Sequence, residues 1–203
     1  MNNFSFSGFV LAGGKSSRMG RDKAYLKIGE KTFLENAVEI LKPVCGEVKI
    51  VLNKSQTHFI ENLPENISYI FDRFENRGAV GGIHAGLKDC PTDYAVILAV
   101  DLPFVTSESI QKLCEMISIE KEFSAIIPRQ SNGKLQPLCA VYRVTDCLIK
   151  AEEILSKTES VSVKDFLETL NLKIIEAENL DKSQNLFLNI NNQSEYKKIE
   201  NYL

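Results

Sequence analysis

The residue types best able to do chemistry in this chain gather in a few places. Gly13-Gly14-Lys15-Ser16-Ser17-Arg18-Met19-Gly20-Arg21-Asp22-Lys23 combines three glycines with the cations Lys15, Arg18, Arg21 and Lys23. Glycine lets backbone approach a ligand closely, and successive backbone N–H groups can form an anion-binding concavity. With the cations beside them, the segment suits a polyphosphate. Its spacing fits neither G-x-x-x-x-G-K-[ST] nor G-x-G-x-x-G, which sets aside a Walker A loop and the usual dinucleotide fold. A solvated basic loop is the plain alternative. Asp101 is the metal candidate. It follows an apolar run directly and precedes Leu102-Pro103, and Mg²⁺ takes one or two carboxylates beside phosphate oxygens and water. A turn or cap aspartate is the alternative, although Ser107 is the better cap for the next helix. Asn53 can donate and accept and Asp72 can accept, which suits a base or a ribose; both residue types also serve simply as turn residues. Gly78, Gly81 and Gly82 form a second glycine-rich turn before a helix, able to face an anion or to pack tightly. His84, on that helix, reads as packed or solvent-facing rather than as a base.

The elements around these residues alternate. GFVLA at 8–12, VKIVL at 48–52, SYIFD at 68–72 and YAVILAV at 94–100 are apolar runs of strand length. The last is apolar throughout, as expected for a central strand buried on both faces. Thr32 and Glu35 form a capping-box signature ahead of Phe33, Leu34, Ala37, Val38 and Leu41, with Pro43 at the end. Further helices are expected at 55–63, 78–90, 107–119, 145–156, 162–170 and 193–202. SAIIP (124–128) and PLCAVY (137–142) read as strands flanking the turn SNGK, and LKIIEA (172–177) as another. This alternation predicts an α/β fold with a mostly parallel central sheet and helices on both faces. Ligands in such sheets bind beyond the carboxyl ends of the strands. Four successive runs end there in Gly13-Gly14, Asn53, Asp72 and Asp101.

Composition narrows the classes. At 203 residues with 44% hydrophobic and 25% charged residues, one globular domain is expected and disorder is excluded as the main state. A net charge of -3, with basic and acidic residues mostly interspersed, argues against nucleic acid. No apolar run approaches the ~20 residues that span a bilayer. MNNFSFSGFVLAGG lacks the basic start and long apolar stretch of a signal peptide, so a cytoplasmic protein without a membrane partner is expected. The five cysteines, Cys45, Cys90, Cys114, Cys139 and Cys147, form no C-x-x-C pair, which argues against a disulfide framework or a zinc site. Cys90 and Cys114 read as buried thiols. With only His58 and His84, a histidine metal site or Ser-His-Asp triad has little material.

LAGGKSSRMGRDK, residues 11–23, resembles the signature loop of the molybdenum cofactor guanylyltransferases, L-A-G-G-x-S-x-R-M-G-x-D-K. Asp22, just before the lysine, is the position more particular to that family than to related nucleotidyltransferases. Further matches follow in order: Asn53, Asp72, the glycine turn 78–82, Asp101-Leu102-Pro103-Phe104, Gln136-Pro137-Leu138 and Asn189-Ile190-Asn191. The resemblance covers essentially the whole chain. It implies a Rossmann-like three-layer nucleotidyltransferase fold and transfer of GMP from GTP to molybdopterin, giving the guanine dinucleotide cofactor and pyrophosphate with Mg²⁺. It implies that Leu11, Ala12, Gly13 and Gly14 hold the nucleotide. Lys23, Asn53, Asp72 and Asp101 also match nucleotide-binding positions, Asp101 as the metal ligand. Arg18, Gly20, Gly78, Gly82, Asn189 and Asn191 match positions linked to catalysis or the pterin side.

Two segments depart from the family pattern. G-P-L-x-G reads Gly78-Ala79-Val80-Gly81-Gly82, and N-I-N-T-P-E-D reads Asn189-Ile190-Asn191-Asn192-Gln193-Ser194-Glu195. The expected organisation is one domain over 1–203, with a nucleotide-binding half to about 105 and an acceptor-binding half from about 106. The expected chemistry is in-line attack of a pterin phosphate oxygen on the α-phosphorus of GTP. Lys15, Arg18 and Lys23 would offset charge while Asp101 holds Mg²⁺. Transient contact with molybdenum-insertion proteins or apo-molybdoenzyme chaperones follows from the family alone. Alternatives are a CTP-dependent molybdopterin cytidylyltransferase, another small-molecule nucleotidyltransferase, and a non-enzymatic nucleotide-binding handover module.

Overall fold

A computed structural model of the chain describes residues 5–13, 23–63, 67–74, 77–157, 161–183, 185–190 and 195–196. Its strands are β1 (Phe6–Leu11), β2 (Lys27–Ile28), β3 (Lys31–Thr32), β4 (Glu47–Leu52), β5 (Ser68–Phe71), β6 (Tyr94–Ala99), β7 (Ala125–Arg129), β8 (Cys139–Arg143) and β9 (Leu172–Glu176). Its helices are α1 (Phe33–Leu41), α2 (Gly78–Asp89), α3 (Ser107–Ile119), α4 (Val144–Lys157), α5 (Val163–Glu168) and α6 (Ala177–Leu180). Among the described residues no helix is long and apolar enough to cross a membrane.

Seven strands form one sheet in the order β5-β4-β1-β6-β8-β7-β9. Neighbours pair in parallel except around β8, which runs antiparallel to both β6 and β7. Because side chains alternate between faces of a strand, each central strand feeds two cores. Val10, Val96 and Leu98 join the layer built by α1 and α3, through Phe33, Leu41, Ile110 and Leu113. Phe9, Leu11, Ala95 and Ile97 join the layer built by α2, α4 and α5, through Ile83, Ala151 and Phe166. The expected three-layer arrangement is therefore what forms. The order reverses beside β1: the chain steps outward through β4 and β5, then returns to place β6 on the other side of β1. Such a reversal leaves a crevice between the loops that leave toward opposite faces.

Local chemistry sets the element ends. The Thr32–Glu35 capping box forms as expected, with Glu35 N donating to Thr32 Oγ1 at 3.1 Å and Thr32 N donating to Glu35 Oε2 at 2.7 Å. At α3 the expectation is corrected: Thr106, not Ser107, is the cap and accepts from Ser109 N at 3.2 Å. The Ser107 hydroxyl instead donates to Ile40 O at 2.9 Å, tying α3 to α1. The helix expected at 55–63 is a 3₁₀ segment, Lys54–Asn62, that departs from helical geometry at Gln56. The two-residue strands β2 and β3 and the short α6 were not expected; elements of two to four residues carry too little periodicity to read. The terminal helix expected at 193–202 lies outside the described residues apart from 195–196. Cys45, Cys114, Cys139 and Cys147 are buried, whereas Cys90 is half-buried with its Sγ 3.5 Å from Thr92 O. Burial pushes the Cys45 and Cys139 thiols up to about 12, so they are poor nucleophiles at neutral pH.

Candidate active site

At the reversal point lies a cleft of about 850 Å³ over the carboxyl ends of the parallel strands. Leu11, Ala12 and Gly13 reach it from β1, Asn53 from β4, Asp72 from β5, and Val100 and Asp101 from β6. Gly78, Ala79 and Gly82 of the first turns of α2 line it as well, together with Lys23 and Leu138. Nine residues singled out from sequence are thus brought to one cavity: Leu11, Ala12, Gly13, Lys23, Asn53, Asp72, Gly78, Gly82 and Asp101. Gly14, Lys15, Arg18, Gly20 and Asn191 lie outside the described residues.

The two ends of the cleft differ in chemistry. At one end Lys23 Nζ donates to Asp101 Oδ2 at 2.9 Å, both side chains being about one-fifth exposed. Asp101 is held from behind by Asn189 and Ile190. With the Asn189 amide nitrogen turned toward it, that nitrogen lies 2.8 Å from Oδ2, 3.1 Å from Oδ1 and 3.1 Å from the Asp101 carbonyl oxygen. Ile190 N also donates to that carbonyl, at 3.3 Å. Asn189 therefore acts on Asp101 rather than lining the cleft. The backbone past Asp101 is fixed in turn by Asn36 Nδ2, which donates to Pro103 O at 2.9 Å. Charge and hydrogen bonds thus converge on one carboxylate, and the charge-assisted contacts fix its orientation.

At the other end Asp72 is 5% exposed. Its backbone N donates to Leu52 O at 2.8 Å and its Oδ1 accepts from Phe74 N at 2.8 Å. Burial raises its pKa above the usual carboxylate value, and the Phe74 N–H pulls the other way. The carboxylate sits in a notch made by Gly81, where a Cβ would come within 2.5 Å of Oδ2. Gly78, at φ +59°, starts α2 in a conformation that L side chains rarely adopt. His84, farther along α2, does not line the cleft; it is buried at 3% exposure in an edge-to-face contact with Phe74.

Between the two ends, Asn53 covers Gly13: a Cβ on Gly13 would meet Asn53 Nδ2 at 2.9 Å. Sequence reasoning missed Lys54 and Ser55, which also line the cleft; Ala79 and Leu138, which line it too, lie in segments matched to the family without a role of their own. It also missed Gln56, whose buried carboxamide joins the loops after β1 and β4. Gln56 Oε1 accepts from Asn53 N at 2.9 Å and Gln56 Nε2 donates to Ala12 O at 3.2 Å. The Asn53-x-x-Gln56 spacing of a capping box was the available signal.

Comparison with known proteins gives one picture. The family model for the MobA-like NTP transferase domain matches residues 8–173. The chain is 32% identical over 198 residues to a molybdenum cofactor guanylyltransferase of Desulfosudis oleivorans, covering 96% of this chain and 94% of that one. It is 31% identical over 193 residues to a probable molybdenum cofactor guanylyltransferase of Methanocaldococcus jannaschii, covering 91% and 93%. The crystal structure of molybdopterin-guanine dinucleotide biosynthesis protein A from Archaeoglobus fulgidus superposes with a TM-score of 0.81 at 26% identity, covering 97% of both chains.

Proposed function

The chain belongs to the MobA-like NTP transferase family and is a nucleotidyltransferase, and we propose that it transfers GMP from GTP to the phosphate of molybdopterin, releasing pyrophosphate. The observation that carries this reading is the single cleft in which Gly13, Lys23, Asn53, Asp72 and Asp101 meet at the carboxyl edge of the sheet. The names of the full-length relatives supply the base and the acceptor. On this reading residues up to about 105 bind the nucleotide and residues from about 106 bind the acceptor, within one domain. A cytoplasmic site of action suits substrates of this kind. Molybdenum-insertion proteins and apo-molybdoenzyme chaperones are the protein partners the family suggests.

The chemistry asks little of a base. A phosphate monoester oxygen is largely ionised at neutral pH, so the acceptor can attack the α-phosphorus in line without a histidine. The protein's task is positioning and charge neutralisation. Gly13 gives the nucleotide close backbone access, and Asn53 and Asp72 offer hydrogen-bonding partners to base and ribose. Gly78 and Gly82 form the wall beside them. Lys23 moves its charge from Asp101 toward the phosphates when they arrive; Lys15 and Arg18 add to that charge. Asn189 keeps Asp101 oriented, and Asn191 belongs to the same segment.

The donor set fits Mg²⁺. Among the described residues no three His, Cys, Asp or Glu side chains converge on a metal position. Asp101, at the Lys23 end of the cleft, is a carboxylate of the kind Mg²⁺ accepts when phosphate oxygens and water complete its shell. Bound there, the ion would supply Lewis-acid stabilisation of phosphate charge.

Calorimetry with GTP, CTP, ATP and UTP, each with and without Mg²⁺, tests the reading. Selective binding of GTP that weakens in Asp101→Ala supports it. Preference for CTP would move the assignment to a cytidylyltransferase, and binding of no triphosphate would overturn it.

A further inference from the structure

We infer that Gln56 is a positioning residue that sets the width of the nucleotide cleft, acting as a side-chain rung between β1 and β4. The inference rests on the nucleotide reading of the cleft and adds to it a residue outside the signature segments.

The hydrogen-bond register makes the case. In the parallel β1–β4 ladder Leu11 lies opposite Val51, and Ala12 N donates to Val51 O at 3.1 Å. A parallel ladder continued by one step would join Asn53 N to Ala12 O. Both groups are instead engaged by one side chain. Asn53 N donates to Gln56 Oε1 at 2.9 Å, and Gln56 Nε2 donates to Ala12 O at 3.2 Å. A primary carboxamide carries an acceptor and a donor on one plane, so it replaces a peptide rung while spacing the two strands by its own width. The strands part at the row where Gly13 and Asn53 enter the cleft. Asn53 has no slack there, since its amide already lies against Gly13.

Its surroundings point the same way. Gln56 is 6% exposed, and both its amide atoms are satisfied by backbone of two different strand ends. Gln56 N also donates to Asn53 O at 2.9 Å, and the residue sits at the one non-helical position of its 3₁₀ segment, φ -104° and ψ 28°. A buried carboxamide that merely filled space would not need both its donor and its acceptor to be placed so.

The isosteric pair decides the matter. Gln56→Glu keeps the volume and the acceptor for Asn53 N but turns a second acceptor on Ala12 O. Gln56→Ala removes the rung and lets Asn53 N close directly onto Ala12 O, pressing Asn53 into Gly13. GTP binding with Mg²⁺ is measured by calorimetry, and KM and kcat by pyrophosphate release. Ser162→Ala, which removes the capping box of α5, a helix that does not line the cleft, serves as the control for lost stability. Expected are a GTP Kd and KM raised about tenfold in Gln56→Ala and at least as much in Gln56→Glu, with kcat at saturation within about twofold. Ser162→Ala should lower Tm while leaving Kd unchanged. Gln56→Glu binding GTP like the wild type would overturn the inference and leave Gln56 a space-filler. Equal Kd changes in Ser162→Ala would overturn it too, by assigning the loss to stability. A wild-type protein that binds no triphosphate defeats the nucleotide reading itself, a result distinct from either.

Discussion

The two flanks of the sheet are made of the same residue types and behave differently. On the flank β5-β4-β1-β6 every strand is parallel to its neighbour, and the residues just past their carboxyl ends meet in one cleft. On the flank β8-β7-β9 charged residues are also present at strand ends, yet they pair on the surface. Arg129, at the end of β7, meets Glu176, at the end of β9, and both are about half exposed. Lys173, near the start of β9, pairs with Glu120, both about one-third exposed. The cause is place in the strand order: β7 and β9 end at the same edge as β6, but β8 stands between them and the switch point. β8 runs antiparallel, so the cleft receives its amino-terminal approach, which contributes the apolar Leu138 and the backbone bond from Ala99 N to Leu138 O at 2.7 Å. On the proposed function a carboxylate–cation pair acquires chemistry from its place at a switch point, and the same pair elsewhere is a surface contact of small energetic value.

Substitution at the two pairs sharpens that contrast most. Asp101→Ala should take pyrophosphate release down by about 10³-fold or more, with circular dichroism unchanged. Arg129→Ala should leave turnover intact and move Tm by no more than about a degree or two. Comparable losses of turnover in both variants would erase the distinction between the flanks. Lys23→Ala comes next. It should lower kcat by about 10²-fold, the scale of a lost electrostatic donor, with a smaller rise in GTP Kd. A kcat near that of the wild type would confine Lys23 to holding Asp101 in the ligand-free protein.

Asp72 separates function from stability within the nucleotide flank. Burial holds its folded-state pKa above the unfolded value. A group so shifted favours folding at low pH and loses that contribution as pH rises through the folded value. At neutral pH the ionised Asp72 is therefore a cost to the ligand-free fold. Asp72→Asn should raise Tm by about a few degrees at pH 7 while weakening GTP binding, and the Tm gain should vanish toward pH 4. Gly81→Ala is the matching steric test. Its Cβ would displace the Asp72 carboxylate, so KM for GTP should rise about tenfold with little change in kcat. A Gly81→Ala enzyme with normal KM would show that Asp72 does not need its notch.

The sequence was most legible where a local pattern decides structure. Apolar runs of strand length located β1, β4, β5 and β6, and a glycine or polar residue within two positions of each end could be named as a cleft candidate because parallel strands present their ends together. The Thr32–Glu35 pair fixed the start of α1 through two short-range hydrogen bonds. What escaped depends on partners distant in the chain. Thr106 and Ser107 are equally good caps locally; contact of Ser107 with Ile40 O leaves Thr106 as the cap. Gln56 looks like one polar residue in a polar helix until Ala12 O is brought beside it. Asn189 was legible only as part of a motif, because its partner Asp101 lies far back in the sequence. The insertion of β8 between β6 and β7 has no local signature at all.

The seam between the flanks offers the smallest and most specific test. α2 turns its first residues to the cleft and its later ones to α4, where Lys88 Nζ donates to Glu152 Oε1 at 2.9 Å. His84 Nε2 lies 3.7 Å from the same oxygen, and its Nδ1 is buried without a partner. Burial is the main influence on His84 and lowers its pKa. Glu152 opposes that shift, while Lys88 and Arg73 reinforce it. A histidine with a depressed folded-state pKa binds fewer protons folded than unfolded, so its contribution to stability is present above about pH 6.5 and is lost as pH falls through the folded value. Between pH 7 and pH 5 the wild type should therefore lose at most a few degrees of Tm more than His84→Gln does. Because the strain falls on α2 against α4, GTP Kd measured on the folded protein should stay level over the same range. Equal Tm losses in the two proteins would remove His84 as the responsible group. A Kd that follows the Tm would mean that the cleft and the seam move together, and that the two flanks are less independent than their hydrogen bonding implies.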